Sequence, residues 1–186
     1  MQTQLDISKL LEAGKIANEL ELERALIADR KLRVLAKEDS KYKTVRKKLR
    51  DLISAYEDKN WSSSSRIPDK KIQNSDLAEV IAEKERQFIQ NRKELIRKKL
   101  KSLNLTQQNL GEILGHKSKS YMSELMNGVS PFSLKDLIII NRLLKIDLTH
   151  LIPTFLPQAD RMKIKFSLQK LDNPKLKLSE EDIELV

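Results

Sequence analysis

The sequence predicts an all-α protein. Glycine is scarce, with 4 in 186 residues, and aromatic residues make up 4 % of the chain. Apolar residues recur mostly at steps of three and four, the spacing that places side chains on one face of a helix. We expect a helical hairpin module at 1–60, a linker at 61–75, a second helical bundle at 76–153 and a C-terminal extension at 154–186.

The first module is predicted as a hairpin of two helices. Residues 19–37 form the first helix, which begins with the acidic residues Glu19, Glu21 and Glu23 at the positive end of the helix dipole. Residues 40–58 form the second, because six apolar residues lie on one stripe: Tyr42, Val45, Leu49, Leu52, Ile53 and Tyr56. The helices are expected to pack around residues 38–40.

A linker and a long helix follow. Residues 58–74 are polar and contain four consecutive serines and a proline, which is typical of a linker. Asp76 and Glu79 have the spacing of a capping box, so we expect a helix from Asp76 to Ser102. Its predicted apolar side consists of Leu77, Ile81, Phe88, Leu95 and Leu103.

The second half of that helix is densely basic. One interpretation is a solvated face with cations that suit a helix C-terminus. The other is a surface that contacts phosphate through Arg92, Lys98 and Lys99, and the motif that follows favours this interpretation.

The informative segment is 103–153. Thr106, Ser118 and Ser133 are predicted N-caps of three short helices, and Gly115 and Gly128 are predicted to end the first two. The second helix is expected to bury Met122 and Leu125. The apolar residues of the first helix are Leu110, Ile113 and Leu114, and those of the third are Leu134, Leu137, Ile138, Ile140, Leu143 and Leu144. Two short helices across a tight turn, braced by a third, make up a helix-turn-helix, whose second helix enters the major groove of DNA.

This segment resembles the Cro/CI-like, or XRE-family, helix-turn-helix, which implies a lambda-repressor-like bundle. The resemblance is carried by Leu105-Thr106-Gln107, Leu110, Gly115, Ser120, Met122, Leu125, Asn127-Gly128 and the closing run 143–151. Two features depart from it. Gly111 stands where alanine is usual, which weakens the helix but lets its neighbour approach closely, and the turn from Gly115 to Ser120 is one residue longer.

The resemblance implies a set of DNA-contacting residues: Thr106, Gln107, Gln108, Lys117, Ser118, Lys119, Ser120, Tyr121, Ser123, Glu124 and Asn127. Lys119 and Ser120 would face base edges, with Tyr121 and Glu124 beside them. Gln107 would meet a phosphate and Asn127 the DNA backbone. Each of these residues can equally be a solvated surface residue.

The wider layout resembles HigA-type antitoxins of bacterial toxin–antitoxin pairs, through the helical module, residues 56–61, the long helix and the blocks SKSYMSELMNG and PFSLKDL. That resemblance implies a homodimer that represses its own operon on double-stranded operator DNA and neutralises an mRNA-cleaving, HigB-like toxin. From charge complementarity, Glu19, Glu21 and Glu23 are expected to meet the basic toxin. A stand-alone repressor and an RNA-binding scaffold are the alternatives.

The composition favours a polyanionic partner and contains few of the residue patterns that indicate an enzyme. The formal net charge is +9, which favours nucleic acid. There is no cysteine, and the two histidines, His116 and His150, are far apart, with His116 in the turn and able to meet a phosphate. We find no metal-ligand cluster or phosphate-binding glycine loop, and expect no enzyme activity and no cofactor. No signal peptide or membrane segment is apparent, so a cytoplasmic protein is expected.

The extension has two possible patterns. Met162, Ile164, Phe166 and Leu168 alternate with polar residues as in a strand, whereas Ile164, Leu168 and Leu171 fit one helix face. We favour a helix over about 158–171, ended by Asn173-Pro174, with an extended tail over 175–186.

Overall fold

A computed structural model of the chain describes residues 5–62, 67–153, 158–173 and 175–176, and all regular structure in these ranges is helical, as predicted. The helices are α1 (Ile7–Ala13), α2 (Glu19–Leu35), α3 (Lys41–Trp61), α4 (Asp69–Ser102), α5 (Gln107–Leu114), α6 (Lys119–Asn127), α7 (Leu134–Leu144) and α8 (Gln158–Leu171). A 3-10 turn at Leu148–His150 follows α7. Among the described residues, none of the helices has the length and apolar content to cross a membrane.

The predicted hairpin is confirmed as α2 and α3. Asn18 caps α2 by accepting a hydrogen bond from the Glu21 backbone N–H at 3.0 Å, and Glu21 accepts one in return from the Ala17 N–H at 2.8 Å. The hairpin core contains Leu22, Ala25, Ala28, Leu32, Tyr42, Leu49 and Ile53. The helix α1 was not predicted; its Ile7 and Leu10 join this core.

The long helix begins earlier than predicted. The start expected at Asp76 is wrong, because α4 begins at Asp69 directly after Pro68. Proline fits the position before a helix, and residues 69–75 contain no glycine or proline that would stop one. The C-terminal part of the expected linker is therefore helical. Residues 63–66, which hold most of its serines, lie outside the described residues.

The buried side of α4 is also turned by about one residue from the predicted one. Leu77 and Leu103 are exposed, and the buried positions are Ala78, Ala82, Glu85, Ile89, Arg92, Ile96 and Leu100. These positions keep the helical steps of four and three, but two of them are charged, so hydrophobicity alone does not reveal them.

The helix α4 takes part in two cores. Its first half packs against α2, where the buried small residues Ala78 and Ala82 of α4 and Ala25 and Ala28 of α2 permit close approach. Ile96 and Leu100, in its second half, lie in the core formed with α5, α6 and α7. A buried ion pair between Arg24 of α2 and Glu85 of α4 crosses the first contact, with Arg24 Nε 2.7 Å from Glu85 Oε2.

The second core confirms the predicted burial of Met122 and Leu125. It also contains Leu110, Leu114, Leu137, Ile140, Leu144 and Leu151. The other apolar residues of the first and third predicted helices are exposed: Ile113, Leu134, Ile138 and Leu143. Thr106, Ser118 and Ser133 cap α5, α6 and α7 through their side chains. Gly115 and Gly128 end α5 and α6 at φ of 84° and 68°, a left-handed conformation that favours glycine.

Close approach of α5 and α6 at Gly111 is confirmed as well. A Cβ at this position would lie 3.0 Å from the His116 carbonyl oxygen and 3.4 Å from Met122 Cγ. The helix predicted over 158–171 is observed as α8, whose Met162 and Phe166 are exposed. Of the predicted tail, residues 177–186 lie outside the described residues.

Candidate nucleic-acid interface

The N-terminal end of α6 projects from the second core. Met122 and Leu125 are buried, which fixes the rotation of the helix. The Ser118 hydroxyl accepts a hydrogen bond from the Tyr121 N–H at 3.2 Å, and α6 begins at Lys119. Lys119 and Tyr121 are exposed, so cationic and aromatic groups lead this end of the helix.

The corner between α2 and α3 covers part of the same helix. The Ser120 hydroxyl donates a hydrogen bond to Asp39 Oδ2 at 2.9 Å. The Tyr42 hydroxyl lies 3.1 Å from the Ser120 carbonyl oxygen and 2.8 Å from Glu124 Oε1. Lys41 Nζ lies 3.2 Å from the same Glu124 oxygen. Two of the side chains expected to face DNA, Ser120 and Glu124, are therefore held by the N-terminal module.

These contacts shift the pKa values of the corner. The Lys41 backbone N–H and the Ser120 hydroxyl hold the pKa of Asp39 below its usual value. Burial raises the pKa of Tyr42, and the hydrogen bond to Glu124 raises it further. At neutral pH Asp39 is an acceptor and Tyr42 a donor, as the hydrogen bonds require.

A cleft of about 500 Å³ lies between α2 and the side of α6 that carries Lys119, Ser120 and Ser123. Its polar lining includes Lys31, Lys93, Arg97, Gln107, Lys119 and Ser123, with Glu38, Asp39 and Asn127 also at its wall. The structure thus brings together four residues of the predicted DNA-contacting set beside Ser120: Gln107, Lys119, Ser123 and Asn127.

The remaining members of that set lie around this group. Thr106 is engaged in capping α5, with its backbone N–H and hydroxyl both bonded to Asn109 Oδ1. Gln108, Lys117 and Ser118 are exposed. Asn127 donates to the Ser123 carbonyl oxygen at 2.8 Å and accepts from Lys93 Nζ at 2.7 Å, so it is positioned by α4 and by its own helix.

The three predicted phosphate contacts divide into two kinds. Lys98 is exposed and Lys99 is half-buried, so both ammonium groups can reach solvent. The expectation for Arg92 is wrong in this structure, because Arg92 is 3 % exposed and donates to the Leu151 carbonyl oxygen at 3.1 Å. Its guanidinium also lies 5.3 Å from the Phe132 ring centre, a cation–π distance. Arg92 therefore ties α4 to the end of the second core.

The acidic side chains at the start of α2 make internal contacts that were not predicted from the sequence. Glu19 accepts a hydrogen bond from the Tyr56 hydroxyl at 3.0 Å, and Glu21 takes part in the cap of its own helix. Glu23 is half-buried, and burial together with nearby Glu79 raises its pKa. Glu57 of α3 adds to this cluster, so carboxylates from three helices meet here.

His116, in the turn between α5 and α6, has an internal partner. Its Nε2 lies 3.0 Å from Asp136 Oδ1, and its ring meets the Tyr121 ring edge-on with 5.2 Å between ring centres. The histidine thus joins α7 to the N-terminal end of α6. His150 is exposed on the 3-10 turn.

A family model described as helix-turn-helix matches residues 96–151. The chain contains an XRE-family helix-turn-helix domain. The matched range begins within α4 and ends at Leu151, so it coincides with the second core. No curated protein and no solved structure matches the chain significantly. The helix-turn-helix domain is a DNA-binding regulatory domain and supports a DNA-binding transcriptional regulator; it is not an enzyme family.

Proposed function

We propose that this protein regulates transcription by binding a specific duplex sequence, with α6 as the recognition helix in the major groove. The observation that carries the proposal is the placement of Lys119 and Tyr121 at the exposed end of α6 while Met122 anchors it in the helix-turn-helix core. A helix with a polar leading end fits the width of the major groove and can hydrogen-bond base edges.

The proposed contacts divide between base reading and phosphate binding. Lys119 can donate to guanine O6 and N7, and Ser120, Ser123 and Glu124 would read neighbouring bases once the corner moves away from them. Gln107 at the start of α5, together with Lys98 and Lys99, would bind phosphates and supply attraction that does not depend on sequence. Thr106, Gln108, Lys117, Ser118 and Asn127 complete the proposed interface.

The test compares Lys119 with a control lysine. A preferred duplex is first selected from a random library with the wild-type chain. Lys119→Ala should lose about 1–3 kcal/mol of discrimination between this duplex and a scrambled one, whereas Lys84→Ala, which removes an exposed charge outside the matched range, should lose none. Equal discrimination in the two variants would contradict the assignment of α6 as the recognition helix.

We further propose that the protein is a homodimeric antitoxin that represses its own operon. The layout of the chain and the carboxylates of Glu19, Glu23, Glu57 and Glu79, which cluster near the start of α2, support this proposal. A cluster of like charge favours a partner of opposite charge, such as a basic mRNA-cleaving toxin. A stand-alone repressor accounts for the helix-turn-helix domain equally well.

If a neighbouring gene encodes a small basic protein, a test for binding of that protein distinguishes the antitoxin from the stand-alone repressor. The variant Glu23→Gln with Glu79→Gln avoids Glu19 and Glu21, whose carboxylates make internal bonds. It should weaken toxin binding at low salt, while Glu94→Gln, exposed and outside the cluster, should leave it unchanged. If the wild-type chain does not bind that protein, the stand-alone repressor is favoured. A dimer would predict inverted half-sites about one helical turn apart.

A further inference from the structure

We propose that the cleft between α2 and α6 binds a phosphate group through Lys31, Lys93 and Arg97. The phosphate belongs either to the backbone of the bound DNA or to a small phosphorylated compound. If the phosphate is part of the DNA backbone, the inference rests on the proposed function. If it is part of a small compound, the inference does not.

The cations of the cleft come from three separate helices. Lys31 lies on α2, Lys93 and Arg97 lie one turn apart on α4, and Lys119 begins α6. A ligand held among them would therefore contact both the N-terminal module and the recognition helix. The volume of about 500 Å³ falls in the range of small-molecule sites.

The two carboxylates of the cleft do not balance these cations. Asp39 is already bonded to the Lys41 N–H at 3.0 Å and to the Ser120 hydroxyl at 2.9 Å. Glu38 is exposed at the rim. Four cations against two carboxylates leave the cleft with a net positive charge, which an anion would complement.

Lys31 is the residue that most clearly needs a partner. It is half-buried, yet its ammonium group makes no hydrogen bond or ion pair to any residue in the described ranges. Burial, together with nearby Lys93, Arg86 and Arg92, lowers its pKa to about 8. A charge partly removed from water without a counter-ion is unfavourable, so a phosphate oxygen beside Lys31 would stabilise its ammonium group.

Polar groups at the same wall suit phosphate oxygens. The Gln107 amide and the Ser123 hydroxyl line the cleft and can donate hydrogen bonds. Lys93 donates one of its three N–H groups to Asn127, and the other two can donate to a phosphate. Bonds from ammonium and guanidinium groups to phosphate are charge-assisted and stronger than neutral ones.

The experiment has two arms, both on the full chain. In the first, pyrophosphate is titrated into wild type, Lys31→Met and Lys84→Met by calorimetry, with chloride ionic strength held constant. Binding to wild type and Lys84→Met, lost in Lys31→Met, would establish a small-anion site. Arginine at position 31, in Lys31→Arg, should restore it because the positive charge returns.

In the second arm, the same variants bind the selected duplex and a scrambled one. If Lys31 contacts the DNA backbone, Lys31→Met should weaken binding to both duplexes about equally. It should also lower the slope of log affinity against log salt concentration by about 1, and Lys31→Arg should restore both. Loss in either arm supports the cleft and identifies the source of the phosphate. Circular dichroism checks that the variants are folded.

The outcomes separate this inference from the proposed function. If folded Lys31→Met behaves as wild type in both arms, the cleft proposal is overturned. If wild type binds no duplex, the proposed function fails, and the pyrophosphate arm alone decides the cleft. Absence of pyrophosphate binding by wild type in that case overturns the cleft as well.

Discussion

The Tyr42 hydroxyl of α3 lies 2.8 Å from Glu124 Oε1 of α6, and this hydrogen bond joins the N-terminal module to the proposed recognition helix. Together with the Asp39–Ser120 bond, it places the α2–α3 corner on the surface that we propose to face DNA. The major groove is about 12 Å wide and admits a helix but little else beside it. DNA binding by Ser120 and Glu124 therefore requires the corner to withdraw.

Removal of the Tyr42 hydroxyl should loosen this contact and strengthen DNA binding. A hydrogen bond contributes about 1 kcal/mol, so Tyr42→Phe should raise affinity for the selected duplex up to about fivefold, as measured by fluorescence anisotropy. The matched control is Tyr56→Phe, which removes a hydroxyl bonded to Glu19 far from α6. Unchanged or weaker binding by Tyr42→Phe would mean that α6 meets DNA with the corner in place.

The buried pair of Arg24 and Glu85 should matter more for stability than the exposed pair of Glu83 and Arg86. Both side chains of the first pair are buried, so Glu85→Gln leaves the Arg24 charge without its counter-charge and should cost about 3–5 kcal/mol. The second pair is roughly two-fifths exposed on each side, and Glu83→Gln should cost less than about 1 kcal/mol. Urea unfolding of the two variants measures the difference, and equal losses would contradict it.

Substitutions at Arg92 and at Lys98 should distinguish a residue that stabilises the fold from one that contacts DNA. Arg92→Ala removes the bond to the Leu151 carbonyl oxygen and should lower the free energy of unfolding by about 1–3 kcal/mol, with little change in the salt dependence of DNA binding. Lys98→Ala with Lys99→Ala should leave stability nearly unchanged, weaken binding to all duplexes and flatten the salt slope. A flattened slope in folded Arg92→Ala would restore Arg92 as a phosphate contact.

Lys31 should give the protein a recognisable dependence of stability on pH. Its pKa is about 8 in the folded chain, below the usual lysine value of 10.5. Between these values the unfolded chain binds more protons, so this residue makes stability rise with pH from about 8 to 10.5. The charged and titratable groups around it include Glu38, Asp39, Tyr42, Arg86, Arg92, Lys93 and Arg97.

The comparison of wild type with Lys31→Met isolates that effect from the other groups. Lys31→Met should be more stable than wild type at pH 7. The difference in free energy of unfolding should be smaller at pH 10, because Lys31 of the wild type is then mostly deprotonated. Urea unfolding at both pH values gives the two differences in free energy. Lys84→Met, which removes an exposed lysine, should show no such change. A constant difference for Lys31→Met would rule out the lowered pKa.

The helix-turn-helix could be found from sequence because its signals are local. Capping residues such as Thr106 and Ser118 act within three positions of themselves, and the left-handed ends at Gly115 and Gly128 need glycine for a backbone reason. The buried stripe of α4 was harder to find, since Glu85 and Arg92 occupy two of its positions. A signal was nevertheless present, because Arg92 lies three residues after Ile89 and four before Ile96.

The contact between the corner and α6 had no comparable signal. Asp39 and Ser120 are 81 positions apart, and both have the polarity of ordinary solvated surface. Hydrophobic periodicity cannot pair such residues, because their contact consists of hydrogen bonds between groups that water would satisfy equally well. The cleft depends on the same long-range packing, so Lys31 is indistinguishable in sequence from an exposed lysine of an amphipathic helix.

Because α4 is one continuous helix, it holds the hairpin and the second core at a fixed angle about its axis. Ala82 and Ile89 face α2, and Ile96 and Leu100 face the second core, on a single helix of 34 residues. Each residue turns an α-helix by about 100°. Insertion of one residue between Ile89 and Ile96 would thus swing the hairpin about the helix axis by roughly a quarter of a revolution. Such a swing would carry Asp39 and Tyr42 away from Ser120, and would also part the hairpin core from Val129, which follows α6 and is buried in that core.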